Sequence, residues 1–157
     1  MKTGKMISFV ALAVIMMTFS ASSAGARGTA LGVIVGEPTG FSGKLWTSSK
    51  TAFAAGLAWS LDNNAGMHIH VDYLWHKTAK LKRNRGSLPW YYGIGGRLKT
   101  NNNKNSDDFL GVRFPVGLEF FLEDTPLDLF IEIVPVFDIA PKSELDFNAA
   151  IGARIVF

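Results

Sequence analysis

Residues 127–138 read LDLFIEIVPVFD. Leu127, Leu129, Ile131, Ile133 and Phe137 fall on one parity, and Asp128, Phe130, Glu132, Val134 and Asp138 on the other. A period of two belongs to a strand, whose successive side chains point to opposite faces. One face here is large and apolar; the other carries three carboxylates. The fold turns on which of these faces lies inside.

The same alternation spreads in both directions from this stretch. Upstream, Leu110, Val112, Phe114, Val116, Leu118 and Phe120 oppose Gly111, Arg113, Gly117 and Glu119. Trp90, Tyr92, Ile94 and Leu98 alternate with Tyr91, Gly93, Gly95, Arg97 and Lys99. Ile69, Val71, Tyr73 and Trp75 face away from His68, His70 and Asp72. Phe53, Ala55, Leu57, Trp59 and Leu61 stand against Ala52, Ala54, Gly56, Ala58 and Ser60. Downstream, Phe147, Ala149, Ile151, Ile155 and Phe157 oppose Asp146, Asn148, Gly152 and Arg154. Two shorter runs, Thr29–Val35 and Gly40–Trp46, come first, which makes eight predicted strands. Turn signals separate them at 37–40, 47–50, 62–66, 77–87, 101–107, 123–126 and 140–144.

The reading is therefore all-β: an eight-stranded, antiparallel, up-and-down barrel. Strands of about ten residues with tight connections fill roughly 130 residues, the size of the smallest membrane barrels. The small-and-charged face carries Lys44, Asp72, Arg97, Lys99, Arg113, Glu119, Asp128, Glu132, Asp138, Asp146 and Arg154, with the two signs nearly balanced. Such a face makes a poor dry core but a good ion-paired plug. The simplest solution is a transmembrane barrel, with the Leu/Ile/Val/Phe face in lipid and a polar, side-chain-filled lumen.

Aromatic residues at the strand ends predict two girdles. Trp46, Phe53, Trp75, Trp90, Phe120, Phe121 and Phe157 fall toward one rim, and Phe41, Trp59, Phe109, Phe137 and Phe147 toward the other. An even strand number puts both termini on one side, expected to be the periplasm. Two features strain the scheme. Pro115 and Pro135 fall inside strands and remove ladder donors, which predicts bulges or later strand starts. The alternation also slips around Gly95-Gly96 and Val134–Val136.

The front of the chain predicts export. Lys2 and Lys5 precede the apolar run 7–19, and Ala24-Gly25-Ala26 closes a small, polar segment. These are the three parts of a cleaved signal peptide, and the apolar run is shorter than the ~20 residues of a membrane helix. The expected organisation is a signal peptide over 1–26 and a barrel over 27–157. Removing Lys2 and Lys5 from sixteen basic residues leaves fourteen against thirteen acidic, so net charge gives no support to nucleic-acid binding. The absence of cysteine excludes thiol nucleophiles and cysteine-based metal sites.

Ile151, Ala153, Ile155 and terminal Phe157, spaced by two, look like the C-terminal signal read by the outer-membrane assembly machinery. The chain from residue 27 onward resembles the small eight-stranded barrels of the OmpA-type and OmpX-type class. More narrowly, Leu88-Pro89, Tyr92-Gly93-Ile94-Gly95, Leu110-Gly111-Val112-Arg113, 126–135 and 148–154 resemble an uncharacterised bacterial outer-membrane β-barrel family. This resemblance implies a bacterial outer-membrane location and a fold. It brings no catalytic residue and no cofactor.

Chemical motifs are few. His68, His70 and Asp72 share one strand face, a spacing that suits a metal site or an acid–base set. Strand alternation alone also makes such a row, and the expectation is a polar lumen network with no metal, cofactor or catalytic residue. Ser60 lies near His68 across a predicted outer loop, which keeps a lipid-modifying enzyme open as the alternative. Gly36–Lys44 lacks the spacing of a phosphate loop, and Gly93-x-Gly95-Gly96 lacks the third glycine and the helix of a dinucleotide site. The 77–85 connection holds five basic residues and reads as a solvated periplasmic loop, or as a contact to anionic lipid headgroups or the acidic groups of peptidoglycan. The expected role is non-enzymatic, in envelope structure or surface interaction. The expected partners are outer-membrane lipids and, through Phe157, the assembly machinery, with no nucleic acid. A soluble, lipocalin-like binder is the further alternative and would need an apolar interior.

Overall fold

The computed structural model describes residues 28–59, 65–79, 88–101, 108–122 and 125–157. The expected signal peptide, Ser60, and Lys80 through Arg85 of the basic connection lie outside the described residues. Strands follow one another as β1 (Thr29–Gly36), β2 (Thr39–Trp46), β3 (Thr51–Trp59), β4 (Ala65–Ala79), β5 (Leu88–Asn101), β6 (Phe109–Arg113), β7 (Val116–Phe121), β8 (Leu127–Ala140) and β9 (Glu144–Val156). All pair antiparallel, each with its sequence neighbours except β6 and β7, which both pair with β5 and β8. β6 and β7 lie end to end between β5 and β8, so nine hydrogen-bonded segments form a ring of eight. β9 returns to β1 from Ala30↔Val156 to Gly36↔Ala150 and closes the ring, leaving no free edge. The start of β1 and the end of β9 lie at one end, where Phe157 N donates to Thr29 O at 2.8 Å. We call this the terminal end and its opposite the far end.

The expected sixth strand is split at Pro115, but no bulge accompanies either proline. Arg113 pairs with Val136 and Val116 with Ile133, so the register runs unchanged through the break. In an antiparallel ladder a residue's N–H and C=O face the same neighbour. Pro115 therefore lacks a donor toward Gly93 and Pro135 one toward Phe114. The reciprocal bonds survive, from Gly93 N to Pro115 O and from Phe114 N to Pro135 O, both at 2.9 Å. Pro135 stays within β8, opposite Phe147. The register shifts sit instead near the far end, at Ala65/His68 and Leu110/Gly111.

The expected slips of alternation are also absent. Through Val134–Val136 the burial of β8 keeps its phase: Val134 and Val136 point inward and Pro135 outward. Gly96 points outward between Ile94 and Leu98. An apolar residue on the polar face only looks like a slip.

Inside and outside are as the charges require. Leu31, Val33, Ile69, Val71, Leu118, Ile131, Ile133, Ile151 and Ile155 stand exposed on the outer wall. Lys44, Asp72, Arg97, Arg113, Glu119, Asp128, Glu132, Asp138 and Arg154 are buried within, while Lys99 and Asp146 are half-buried. At the β1–β2 turn Gly36 has φ 137°, a conformation that L side chains rarely adopt. Thr39 Oγ1 accepts from Gly36 N at 3.1 Å and donates to Gly36 O at 2.9 Å, which closes the turn.

Candidate functional site

Most of the charged side chains among the described residues face the lumen. Its room comes from an arrangement already written in the strands. The inward positions of β3 are Ala52, Ala54, Gly56 and Ala58, and their partners on β4 are Leu74, Asp72, His70 and His68. One strand supplies space and its neighbour fills it. A methyl at Gly56 would run into the His70 ring, one at Gly117 into Tyr91, and one at Gly152 into Phe130.

The terminal end holds the densest cluster. Lys44 Nζ from β2 donates to Glu119 Oε1 from β7 across the lumen, and both side chains are fully buried. Arg154 Nη1 from β9 reaches Glu119 Oε1 at 3.3 Å and Asp128 Oδ2 at 3.0 Å, while its Nε donates to Ser42 Oγ at 3.0 Å. The same guanidinium lies 3.8 Å over the Phe130 ring. His76 Nε2 sits 2.8 Å from Lys44 Nζ and 3.3 Å from Glu119 Oε2. Trp46 packs its ring 4.3 Å from His76, under the Lys44 ammonium at 4.2 Å.

Mid-barrel, Arg113 Nε donates to Asp72 Oδ1 at 3.0 Å, and its Nη2 lies 3.7 Å from Glu132 Oε1. Tyr91 donates its hydroxyl to Glu132 Oε2 at 2.8 Å. Toward the far end Arg97 grips Asp138 with two bonds, Nε to Oδ1 at 3.0 Å and Nη2 to Oδ2 at 2.6 Å. Arg97 Nη2 also reaches Asp146 Oδ2 at 3.0 Å, although the Asp146 side chain is 43% exposed. Bidentate, charge-assisted bonds of this kind are what hold charges away from water.

His68, His70 and Asp72 do share the inner face. Asp72 is held by Arg113, with His70 Nε2 3.9 Å from its other oxygen. The His68 and His70 rings meet edge-on at 5.4 Å. Among the described residues no three His, Cys, Asp or Glu side chains are placed to hold a metal ion. All three histidines of the chain, His68, His70 and His76, are buried and turned inward.

Trp46 and Phe121, both expected in a girdle, are placed otherwise. Trp46 points inward and is 3% exposed, so it does not belong to a lipid-facing girdle. Phe121, on the inward parity of β7, brings its ring within 6.2 Å of Trp46. His76 was absent from the expected lumen set. Both Trp46 and His76 were readable, being two residues beyond Lys44 and four beyond Asp72 on the inward parity. The faint glycine motifs lie in strands: Gly40 and Gly43 in β2, and Gly93, Gly95 and Gly96 in β5.

Among solved structures the chain is similar to the N-terminal β-barrel domain of Pseudomonas aeruginosa OprF, with a TM-score of 0.61 and 12% identity over 82% of this chain and 96% of that one. At this identity the likeness shows the fold, and in fold it agrees with the resemblance to small eight-stranded barrels. No protein-family model matches the chain, and no curated protein matches it.

Proposed function

We propose that this protein is a bacterial outer-membrane β-barrel with a non-enzymatic structural or surface-interaction role. One observation carries the reading: a closed ring whose outer wall is apolar and whose buried interior holds four cations against five carboxylates. In water that arrangement is inside out. In a bilayer it is the expected one, because the lipid covers the apolar belt and the closed ladder satisfies the backbone. β4, β5, β8 and β9, at 13 to 15 residues, exceed the 9–11 residues a tilted strand needs to span.

The three tiers of cross-lumen bonds support a plugged barrel rather than an open pore. Support also comes from the inward histidines, since a lipid-modifying enzyme needs such a group at the lipid surface. A soluble ligand binder would need an apolar interior, and this one is charged. On this reading the partners are outer-membrane lipids and, through the exposed C-terminal Phe157, the assembly machinery.

The test is fractionation of cells expressing the full chain, with gel mobility compared before and after heating. Recovery in the outer membrane with a faster unheated band is expected. A soluble protein without a mobility shift contradicts the proposal.

A further inference from the structure

Lys77 is the one charged side chain at an outward position of the described strands. It stands near the terminal end of β4, exposed and paired with Trp90 of β5. Its Nζ lies 5.6 Å from the Trp90 ring and 5.7 Å from the Tyr92 ring. The platform continues across β4: Trp75 stacks on Tyr92 at 5.8 Å and 23°, and Tyr73 meets Trp75 edge-on at 4.8 Å.

Phe53 of β3 extends the row of rings, edge-on to Tyr73 at 4.9 Å, but the indole and phenol groups concentrate in one sector. The chain has four Trp and three Tyr; Trp46 and Tyr91 point inward. Of the five that remain, only Trp59 lies off β4 and β5. Elsewhere on the same rim the outward positions carry hydrocarbon side chains, Leu45, Phe53, Leu118, Phe120, Leu129 and Ile155, with no indole or phenol among them. A uniform belt would anchor a barrel without preference for headgroup. A sector that concentrates indole and phenol groups around a single ammonium has the chemistry of an anion site at an apolar surface. No carboxylate occupies an outward position of the described strands, so none of these strands pairs the Lys77 ammonium with an acid on the outer wall.

We infer that this sector binds one anionic phospholipid, its phosphate against the Lys77 ammonium and its glycerol and acyl region over the Tyr92 and Trp75 rings. The inference rests on the bilayer reading above. The occupant follows from charge complementarity and from depth: the cation stands where the apolar wall meets the rim, the level of a headgroup.

Native mass spectrometry of the full-chain barrel, purified from membranes in a non-ionic detergent, tests it. Phosphatidylglycerol and phosphatidylcholine with identical acyl chains are offered at equal concentration. Wild type retains phosphatidylglycerol about fivefold over phosphatidylcholine, the scale of one lysine at a lipid surface. Lys77→Gln abolishes that preference and Lys77→Arg keeps it. Wild type without a preference, or Lys77→Gln with an unchanged one, overturns the inference. So does a lipid-free dimer, which would put a second copy on this face. Heat-modifiable mobility, run in parallel, separates loss of the lipid site from failure of the barrel reading. A shifted band without lipid preference sinks the site alone; an unshifted band sinks the barrel reading and the site with it.

Discussion

The two ends of the lumen use the same chemistry in different surroundings. At the terminal end Lys44, Glu119, Arg154 and Asp128 come from four strands, and every one of these side chains is almost fully buried. At the far end Arg97 and Asp138 are buried too, but Asp146 shares the guanidinium while 43% of its side chain meets solvent. An exposed ion pair contributes little, because water and salt screen it and side-chain entropy opposes it. Breaking a buried one strands an uncompensated charge. The comparison teaches that a contact's worth here depends on its depth in the barrel more than on its geometry.

Glu119→Ala should have the largest effect. It leaves Lys44 and Arg154 with no shared carboxylate, and the expected loss is about 3–5 kcal/mol. Guanidinium unfolding of the barrel in phosphatidylcholine vesicles, followed by the mobility shift, measures it. A loss no greater than that of an exposed pair would break the comparison at its strongest point.

Gly117→Ala comes next, because its new methyl would overlap the buried Tyr91 ring and backbone from β8. Overpacking of this kind costs about 1–3 kcal/mol. Gly96→Ala is the matched control on the outer wall, where the added methyl meets nothing closer than Gly111 O at 3.9 Å. The same unfolding assay should separate the two clearly, and equal costs would mean that the lumen is not tightly filled.

Asp146→Asn should have the smallest effect, less than about 1 kcal/mol and fading as salt is raised. Arg97 keeps both of its bonds to Asp138 in that variant. A large, salt-independent loss would show that the far end is as sealed as the terminal end.

Much of this was legible in the sequence because a strand's faces are a local property. The parity of residues 127–138 alone assigns Asp128, Glu132 and Asp138 to one face, and the structure places all three in the lumen. The cross-lumen partners were not legible. Lys44 and Glu119 are 75 residues apart, and their meeting depends on how the ring closes. Trp46 was misplaced because an aromatic at a strand end suggests a membrane belt, although its parity with Lys44 already turned it inward. At Pro115 the missing donor was legible but its consequence was not, since the closed ladder on both sides holds the register through the gap. Only the β4–β5 pairing brings Lys77, Trp90 and Tyr92 together.

The central claim is that the apolar wall faces lipid and the charges face inward. Ile131, 52% exposed at the middle of β8, tests it most directly. In a bilayer Ile131→Arg should cost about 2–4 kcal/mol, as a lipid-facing arginine near the midplane does. That loss of stability, measured beside wild type in phosphatidylcholine vesicles, is the expected outcome. An Ile131→Arg protein that is equally stable, and soluble without detergent or lipid, would contradict it.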